Sequence, residues 1–470
     1  MSLPKNYLVD TTIDNLGKNF TDLFNDRINE DIREHFTLLF IEEFIEPKTG
    51  RQRDVKEVRA YYYKNKFKKT KRNWLASLKR SLTKPAKTPK ELTAEIKFIE
   101  DGISKNFIDL DKNYEVKSID ELIEKRLNDV ETWVSDDDML LIDYRYIKDK
   151  TKRQVQNALN VDFIIKLTDL VIERFNGDLN SIVKEVSDFV TQTPLPGKVG
   201  NTRLKPESEL NPVLVDEYKN GDLTITTIID QELAKNKKNV YMNEKDWEII
   251  HFTMSKRDIE FVESQKIFVN IGDIVKNVYP TSRGQKEYQQ VIDRLLKLKE
   301  ISFQIQEGDG DIHVFDLFNH IIFKDDGKRA EIEINEFMHK QYISNQITKI
   351  YSDKIKNFNQ KYSENMVLIL QSERYRYLKQ NETKTSHSYP YEFFARRIRF
   401  PSRNKTENLK IIDECLKEIV NNEVTVHKYL KKKDIFYITF YPVSQHEAED
   451  LIEGYNAETP ILQIQEAIAE

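Results

Sequence analysis

A sixteen-residue pattern occurs twice in this 470-residue chain, at residues 282–297 and again at 402–417. Seven of the sixteen positions are identical, where chance alone gives about one. The identical pairs are Ser282/Ser402, Arg283/Arg403, Glu287/Glu407, Ile292/Ile412, Asp293/Asp413, Leu296/Leu416 and Lys297/Lys417. A proline stands shortly before each copy, at Pro280 and Pro401, and ends whatever element precedes it. The duplication therefore predicts two copies of one structural unit.

Each copy has the spacing of an amphipathic helix, with apolar residues three and four positions apart. Thr281 or Ser282 in the first copy, and Ser402 or Asn404 in the second, could cap the first turn. The apolar stripes consist of Tyr288, Val291, Ile292, Leu295 and Leu296, and of Leu409, Ile412, Leu416 and Ile419. The pairing of the copies places Ile292 with Ile412, and Leu296 with Leu416, at equivalent buried positions.

The segments around the two copies follow the same order. The first copy is preceded by a helical pattern (242–256), a short strand (266–270) and a short helix (271–279), and followed by an alternating hairpin pattern (301–318). The second has a helix (363–380), a short helix (389–398) and a hairpin (423–442). This order is that of a winged helix-turn-helix, in which the repeated helix is the third, recognition helix and the hairpin is the wing.

The predicted fold class is mainly α with small β-hairpins (α+β), with two tandem winged-helix domains after an N-terminal helical region. The predicted boundaries are a helical region 1–190, a linker 191–235 rich in proline and glycine, winged helices 236–355 and 356–445, and an acidic tail 446–470.

The polar faces of the two repeated helices carry the side-chain types that bind base edges and phosphates in a major groove. For either helix alone, an ordinary solvated polar face remains the alternative. The candidate DNA-binding residues are Arg283, Lys286, Gln289 and Gln290 in the first copy, Arg396, Arg397, Arg399, Ser402, Arg403, Lys405, Asn408 and Lys410 around the second, and Lys431, Lys432 and Lys433 in the hairpin turn.

The most basic stretch of the chain is 62–90, with eleven Lys or Arg residues, no acidic residue, and aromatic residues among them. This mixture is typical of nucleic-acid-binding surfaces, although a basic helix packed by its aromatic side chains is an equal alternative. The candidate residues for nucleic-acid or partner binding are Lys64, Lys66, Lys68, Lys69, Lys71, Arg72, Lys79 and Arg80.

Motifs for catalysis are weak. The run Asp136–Asp138 with Asp143 could hold Mg²⁺, but adjacent aspartates more often form a helix-capping loop. The eight histidines include no His-x-His pair, and "PLPGKVGN" (194–201) lacks the spacing of a phosphate-binding loop. We therefore expect no metal, no cofactor and no catalytic residue, although a nucleophilic tyrosine among the 22 in the chain remains open.

The single cysteine, Cys415, excludes an internal disulfide and a CxxC metal site and favours a reducing compartment. No apolar run approaches the roughly 20 residues that span a bilayer, and the N-terminus lacks the apolar core of a signal peptide. A cytoplasmic protein without a membrane partner is expected. The net charge of −5 means that local patches, and not overall charge, would decide whether it binds polyanions.

Residues 235–445 resemble the theta-type plasmid replication initiators. The resemblance is carried by "MNEKDWEIIHFTMSK", "VIDRLLKLKEISFQI", "AEIEINEFMHKQYI", "YSENMVLILQSERYRYLKQ" and "NLKIIDECLKEIVNNEVTV…YLKKKDIFYITFYP". It implies tandem winged helices that bind repeated origin sites on double-stranded DNA, help to open the duplex, recruit a replicative helicase or its loader, and in some states form a homodimer. The long region before residue 235 departs from the short arm usual in the family.

The sequence thus predicts a DNA-binding replication initiator that acts by binding and not by catalysis. A winged-helix transcriptional repressor is the alternative within DNA binding. A DNA-nicking or recombination enzyme, with its chemistry in the N-terminal region, is the alternative from another class.

Overall fold

The computed structural model describes residues 4–46, 52–83, 91–207, 213–229, 241–258, 260–282, 284–308, 310–380 and 384–452. The chain divides into two compact units, Lys5–Leu179 and the remainder from Asn180 onward together with Met1–Pro4. No helix in the described ranges is both long enough and apolar enough to cross a membrane. Helices predominate and the sheets are small and antiparallel, which confirms the predicted α+β class.

The N-terminal unit is helical. The long helix α9 (Lys152–Phe175) lies at its centre because nearly every face of it is apolar and buried, and a capping box between Thr151 and Gln154 starts it. Phe36 on α3 (Ile32–Phe44) stacks on Phe163 of α9 at 4.3 Å between ring centroids. The helices of this unit are α1 (Lys5–Leu16), α2 (Lys18–Arg27), α3 (Ile32–Phe44), α4 (Val55–Tyr61), a π-helix (Tyr62–Phe67), α5 (Lys68–Thr83), α6 (Leu92–Ser104), α7 (Leu110–Tyr114), α8 (Ile119–Ser135), a 3₁₀ turn (Ile147–Asp149) and α9 (Lys152–Phe175).

The C-terminal unit mixes helices and strands around one continuous hydrophobic core that extends from Val186 to Phe440. Its helices, after a 3₁₀ turn (Leu179–Ser181), are α10 (Asp188–Gln192), α11 (Glu244–Ser255), α12 (Phe261–Ser264), α13 (Ile271–Val278), α14 (Gln285–Lys299), α15 (Glu336–Ile343), α16 (Ser352–Ile355), α17 (Ser363–Lys379), α18 (Tyr391–Ala395), α19 (Lys405–Asn421), α20 (Gln445–Glu447) and a π-helix (Ala448–Ile452). Its strands are β1 (Val183–Ser187), β2 (Thr202–Arg203), β3 (Lys205–Pro206), β4 (Leu214–Asn220), β5 (Leu223–Ile229), β6 (Tyr241–Met242), β7 (Lys266–Asn270), β8 (Ile301–Glu307), β9 (Ile312–Asp316), β10 (Phe318–Lys324), β11 (Arg329–Ile334), β12 (Ile347–Tyr351), β13 (Ser386–Pro390), β14 (Val426–Lys432) and β15 (Ile435–Phe440).

The segment predicted as a linker, 191–235, instead contains four strands. β4 and β5 form a hairpin about a turn at Gly221, whose φ of 64° favours glycine. They join β3, β8 and β9 in a five-stranded sheet of order β3-β4-β5-β8-β9. Residues 230–235 lie outside the described ranges. The predicted end of the helical region at 190 also differs, because β1 already belongs to the C-terminal unit and pairs with β12.

Within the C-terminal unit, the same element order occurs twice. The first module (residues 244–334) contains α11, β7, α13, α14 and the hairpin β10–β11, with sheet order β10-β11-β7; α12 and the strands β8 and β9 are insertions in this order. The second module (residues 363–440) contains α17, β13, α18, α19 and the hairpin β14–β15, with sheet order β13-β15-β14. In both, the last strand lies between the other two.

The hairpin predicted as the wing of the first module, at 301–318, belongs to a different sheet. The pattern at 301–318 does form the predicted hairpin, β8–β9, but β8 pairs along its full length with β5. The hairpin that completes the first module is β10–β11 at 318–334. The two hairpins follow each other in sequence with similar alternation, so alternation alone does not identify the one that pairs with β7.

The elements of the two modules start at equivalent positions, but the buried residues of the long helix are offset by one residue between the modules. β7 and β13 begin 120 residues apart, as do α13 and α18, and α14 and α19. The buried apolar positions of α14 are Val291, Leu295 and Leu298, whereas those of α19 include Ile412, Leu416 and Ile419, a separation of 121 residues. The predicted pairing of Leu296 with Leu416 is therefore wrong, since Leu296 is 41% exposed and Leu416 is fully buried. Ile292 is likewise only partly buried, whereas Ile412 is fully buried.

The start of the predicted solvated tail is packed against the unit. The Arg374 guanidinium donates to both carboxylate oxygens of Glu447, at 2.6 and 3.0 Å. The hydroxyl of Tyr351 donates to the buried carboxylate of Asp450 at 3.2 Å. Residues 453–470 lie outside the described ranges.

Candidate nucleic-acid interface

Helix α14 presents one face to the core and one to solvent. Its N-terminal turn is fixed by Glu287, whose carboxylate accepts from the Gly284 amide at 2.9 Å and from the Ser282 hydroxyl at 2.8 Å. Tyr288 of α14 packs closely on Gly272 of α13, where an added Cβ would lie 2.6 Å from the Tyr288 hydroxyl. A larger residue at 272 would therefore push the two helices or the tyrosine apart.

The candidate residues on α14 lie on its outer side. Lys286 and Gln289 are exposed, and Gln290 is partly buried. The Gln289 amide donates to the Asp293 carboxylate at 2.8 Å, which orients the side chain along the helix surface. Arg283 lies outside the described residues, so its predicted exposure stays a prediction.

Two further cations of α14 point inward. The fully buried carboxylate of Asp246 on α11 accepts from Arg294 and from Lys297, each at 2.6 Å. Burial lowers the pKa of Lys297, although the adjacent carboxylate favours its charged form. These charges therefore hold α14 to α11 and leave the outer face of α14 with little net charge.

On α19, the candidate residues separate into two groups. Asn404, one of the two caps that the sequence predicts, accepts from the Thr406 amide at 2.9 Å. Arg403 and Lys410 are exposed and have no ion-pair partner within the described ranges. Lys405 is exposed too, but its ammonium is shared between Glu392 at 3.0 Å and Asp434 at 2.8 Å.

Three candidate arginines before α19 are held by internal partners. Arg399 donates to the Pro194 carbonyl and to the Asp216 carboxylate, both at 2.6 Å, and lies 4.5 Å from the Tyr218 ring centroid. Arg397 donates to Gln192 and stacks on Phe393 at 3.9 Å. Arg396 is exposed but pairs with Asp222 at 3.1 Å.

The interpretation of Arg397 and Arg399 as groove-facing residues is therefore corrected. Their guanidinium groups join the second module to the 191–222 segment, because partner carbonyl and carboxylate groups lie within hydrogen-bonding distance.

Asn408 and Ser402 also have structural roles. Asn408 is buried, and its amide donates to the Ser402 carbonyl at 2.9 Å and to the Tyr391 hydroxyl at 3.0 Å. The Ser402 hydroxyl accepts from the Asn404 amide at 3.0 Å. These bonds fix the turn before α19 and bury Asn408, which contradicts its predicted exposure to DNA.

The turn between β14 and β15 is basic. Lys432 and Lys433 are exposed, and Lys433 adopts a left-handed φ of 57°. Lys431 instead folds back, donating to the Leu409 carbonyl at 3.2 Å and lying 5.6 Å from the Phe436 ring. Two of the three predicted lysines are thus available to a ligand.

The basic segment of the N-terminal unit contains both cations with internal partners and exposed cations. Lys71 is buried and donates to the carbonyls of Trp133, Asp136 and Met139 at 2.9, 2.6 and 2.6 Å, and burial lowers its pKa. Its predicted role in nucleic-acid binding is therefore wrong. Among the remaining candidates, Lys68 pairs with Asp137 at 3.1 Å and Lys79 pairs with Glu131. The exposed cations with no ion-pair partner in the described ranges are Lys64, Lys66, Lys69, Arg72 and Arg80.

The aspartate run at 136–143 forms a capping loop. Asp136 accepts from the amide of Asp138 at 2.9 Å, and Asp143 accepts from the amide of Leu140 at 2.7 Å. Within the described ranges, no group of three or more His, Cys, Asp or Glu side chains is arranged to hold a metal ion.

The sequence analysis did not predict one exposed apolar surface. The sheet of the second module exposes Leu430 and Tyr437 on the side away from α19. The alternation of "HKYLKK" marks a strand, but strand pairing is needed to show which of its residues share a face with Tyr437.

No protein-family model and no curated protein matches the sequence. Among solved structures, a crystal structure of domains 2 and 3 of RctB is similar at 11% identity and a TM-score of 0.34, covering 54% of this chain and 97% of that one. A second crystal structure of RctB domains 2–3 is similar at 10% identity and a TM-score of 0.29, covering 56% of this chain and 100% of that one. Likeness at this level leaves the family unassigned.

Proposed function

We propose that both modules are winged helices and that the protein is a sequence-specific, duplex-DNA-binding replication initiator. The observation that carries the proposal is the duplicated element order. Each long third helix, α14 or α19, is anchored on one side and presents amide or cationic side chains on the other. Arg, Lys and Gln are the side chains that bind base edges in a major groove.

In the proposed complex, α14 and α19 each enter a major groove. Lys286 and Gln289 are the contacts from the first module, and Arg403 and Lys410 are those from the second. Lys433 in the β14–β15 turn binds a phosphate, where a cation adds affinity without specificity.

The continuous core of the C-terminal unit gives the two recognition helices a fixed separation. A rigid pair of helices selects two half-sites at one spacing, since a change of spacing rotates one half-site around the duplex away from its helix. Binding at several such sites strains the DNA and favours opening of an adjacent A·T-rich segment. A replicative helicase or its loader would then be recruited.

The exposed cations of α5 and the π-helix before it extend the phosphate contacts. Lys64, Lys66, Lys69, Arg72 and Arg80 share a stretch without exposed acidic neighbours in sequence. Their contribution is independent of base sequence.

Footprinting on DNA beside the protein's own gene tests this function. Protection of a tandem array of repeats supports the initiator, whereas protection of one palindrome supports a transcriptional repressor. Incubation with Mg²⁺ and supercoiled DNA tests for enzymatic activity. Nicking would overturn the proposal that the protein acts by binding alone.

A further inference from the structure

The sheets of the two modules have equivalent outer faces with different chemistry. Directly paired residues on neighbouring antiparallel strands point to the same side. In the first module the central row across the sheet is Phe268, Glu331 and Ile322. In the second module the same row is Ser388, Tyr437 and Leu430.

On the first module, the outer face is electrically balanced. The Glu331 carboxylate accepts from Lys266 at 2.7 Å and from Lys324 at 2.5 Å. Glu333 pairs with Lys266 across the strands, so two carboxylates balance the two lysines. The result is a face with little attraction for a polyanion.

On the second module, Tyr437 replaces that carboxylate. Tyr437 is 42% exposed and Leu430 is 55% exposed, and the Lys432 ammonium lies 5.6 Å from the Tyr437 ring. Lys428 is exposed on the same side. The three strands β13, β14 and β15 contain no acidic residue.

The outer face also points away from the recognition helix. On the inner side of the sheet, the Tyr429 hydroxyl donates to Asp413 of α19 at 2.8 Å, and Lys431 donates to the Leu409 carbonyl. Leu430 and Tyr437 form the cross-strand pair between the Tyr429 and Lys431 pairs, so their side chains point to the opposite side of the sheet. A ligand on the outer face is therefore distinct from a duplex held by α19.

We propose that the outer face of the second module binds single-stranded nucleic acid. The Tyr437 ring stacks on an unpaired base, Leu430 packs beside it, and Lys428 and Lys432 bind the flanking phosphates. An aromatic ring on a basic, acid-free surface is the recurring design for single strands, because every unpaired base exposes a π-face. A duplex buries those faces within its stack.

Fluorescence anisotropy of the full chain with a labelled fifteen-nucleotide oligo-dT tests the site. Tyr437→Glu installs the carboxylate found at Glu331 and is expected to weaken binding by at least about tenfold. Tyr437→Phe keeps the ring and should bind as wild type does. Tyr437→Ser serves as a second disruptive variant, and thermal unfolding by circular dichroism verifies that each variant is folded.

Two controls separate this site from the proposed duplex interface. Phe268→Ala removes an exposed ring from the equivalent row of the first module and should leave oligo-dT binding unchanged. Tyr437→Glu should leave binding to the footprinted duplex unchanged. The inference is overturned if wild type does not bind oligo-dT, or if folded Tyr437→Glu and Tyr437→Ser bind it as wild type does. A change in sedimentation mass with unchanged oligo-dT binding would instead assign the face to a second copy of the chain.

Discussion

Leu295 and Leu416 occupy the same position in the two modules. Each is fully buried on the long third helix, and each helix packs against the first helix of its own module. Truncation of either to alanine should cost about 2–5 kcal/mol, since it removes one methine and two methyl carbons from a packed core. Urea unfolding monitored by circular dichroism measures the loss.

Leu296 provides the matched control for that experiment. It is the neighbour of Leu295 and 41% exposed, so Leu296→Ala should cost less than about 1 kcal/mol. Equal losses for Leu295→Ala and Leu296→Ala would contradict the one-residue shift between the modules.

Arg399 should stabilise the fold and not bind DNA directly. Its ion pair with Asp216 is only 15% exposed at either side chain, and its removal leaves the Asp216 carboxylate without this partner. We expect Arg399→Ala to lower the unfolding free energy by about 3 kcal/mol. Asp216→Asn tests the same contact from the other side. Loss of DNA affinity with unchanged stability would show that Arg399 faces the DNA after all.

The element order was predictable because helix and strand periodicities are local. The sequence repeat correctly indicated two copies of helix, short helix and long helix, but it assigned the wrong hairpin to the first copy. It did not reveal the shift that buries Leu295 and exposes Leu296, because both leucines fit an apolar stripe.

The candidate site was harder to predict because it depends on tertiary contacts. Arg399, Asn408 and Lys71 are residue types common on DNA-binding surfaces, yet each is held by an internal hydrogen bond: Arg399 to the Pro194 carbonyl, Asn408 to the Tyr391 hydroxyl and Lys71 to the Trp133 carbonyl. The 191–235 segment looked like a linker because proline and glycine flank β4 and β5, and the sheet that contains them is completed only by β8.

Asp162 should make the N-terminal unit less stable as pH rises. Burial raises the pKa of its carboxyl to about 7, even though the amides of Leu141 and Ile142 donate to it at 2.9 Å. An unfolded aspartate titrates near about 4, so the folded unit binds the proton more tightly. The stability from this group is fully present below pH ~4 and is lost as the pH rises through ~7.

The expected loss between pH 5 and pH 8 is on the order of 3 kcal/mol. Fluorescence of Trp74 and Trp133 during urea unfolding, in a Trp247→Phe background, reports on this unit alone. Asp162→Asn should flatten the pH dependence. If the unfolding free energy of the parent instead increases from pH 5 to 8, and that of Asp162→Asn does not, the raised pKa of Asp162 is contradicted.

The exposed cations of α5 should contribute to the salt dependence of DNA binding and not to its sequence preference. Lys69, Arg72 and Arg80 are exposed without ion-pair partners in the described ranges. Replacing all three by alanine should reduce the slope of log affinity against log salt concentration by up to about 3. Lys79→Ala is the control, because Lys79 is already paired with Glu131. An unchanged slope in the triple variant would assign this surface to another partner.

The central claim, that α14 and α19 each read a major groove at a fixed separation, is tested most directly by selecting bound duplexes from a random pool and sequencing them. The wild-type protein should enrich a two-part motif with one spacing. Arg403→Ala should lose preference in one half only, at a cost of about 1–3 kcal/mol, and the double variant Lys286→Ala/Gln289→Ala should lose preference in the other half. Enrichment of no sequence by the wild type, or the same motif from all three proteins, would contradict the account.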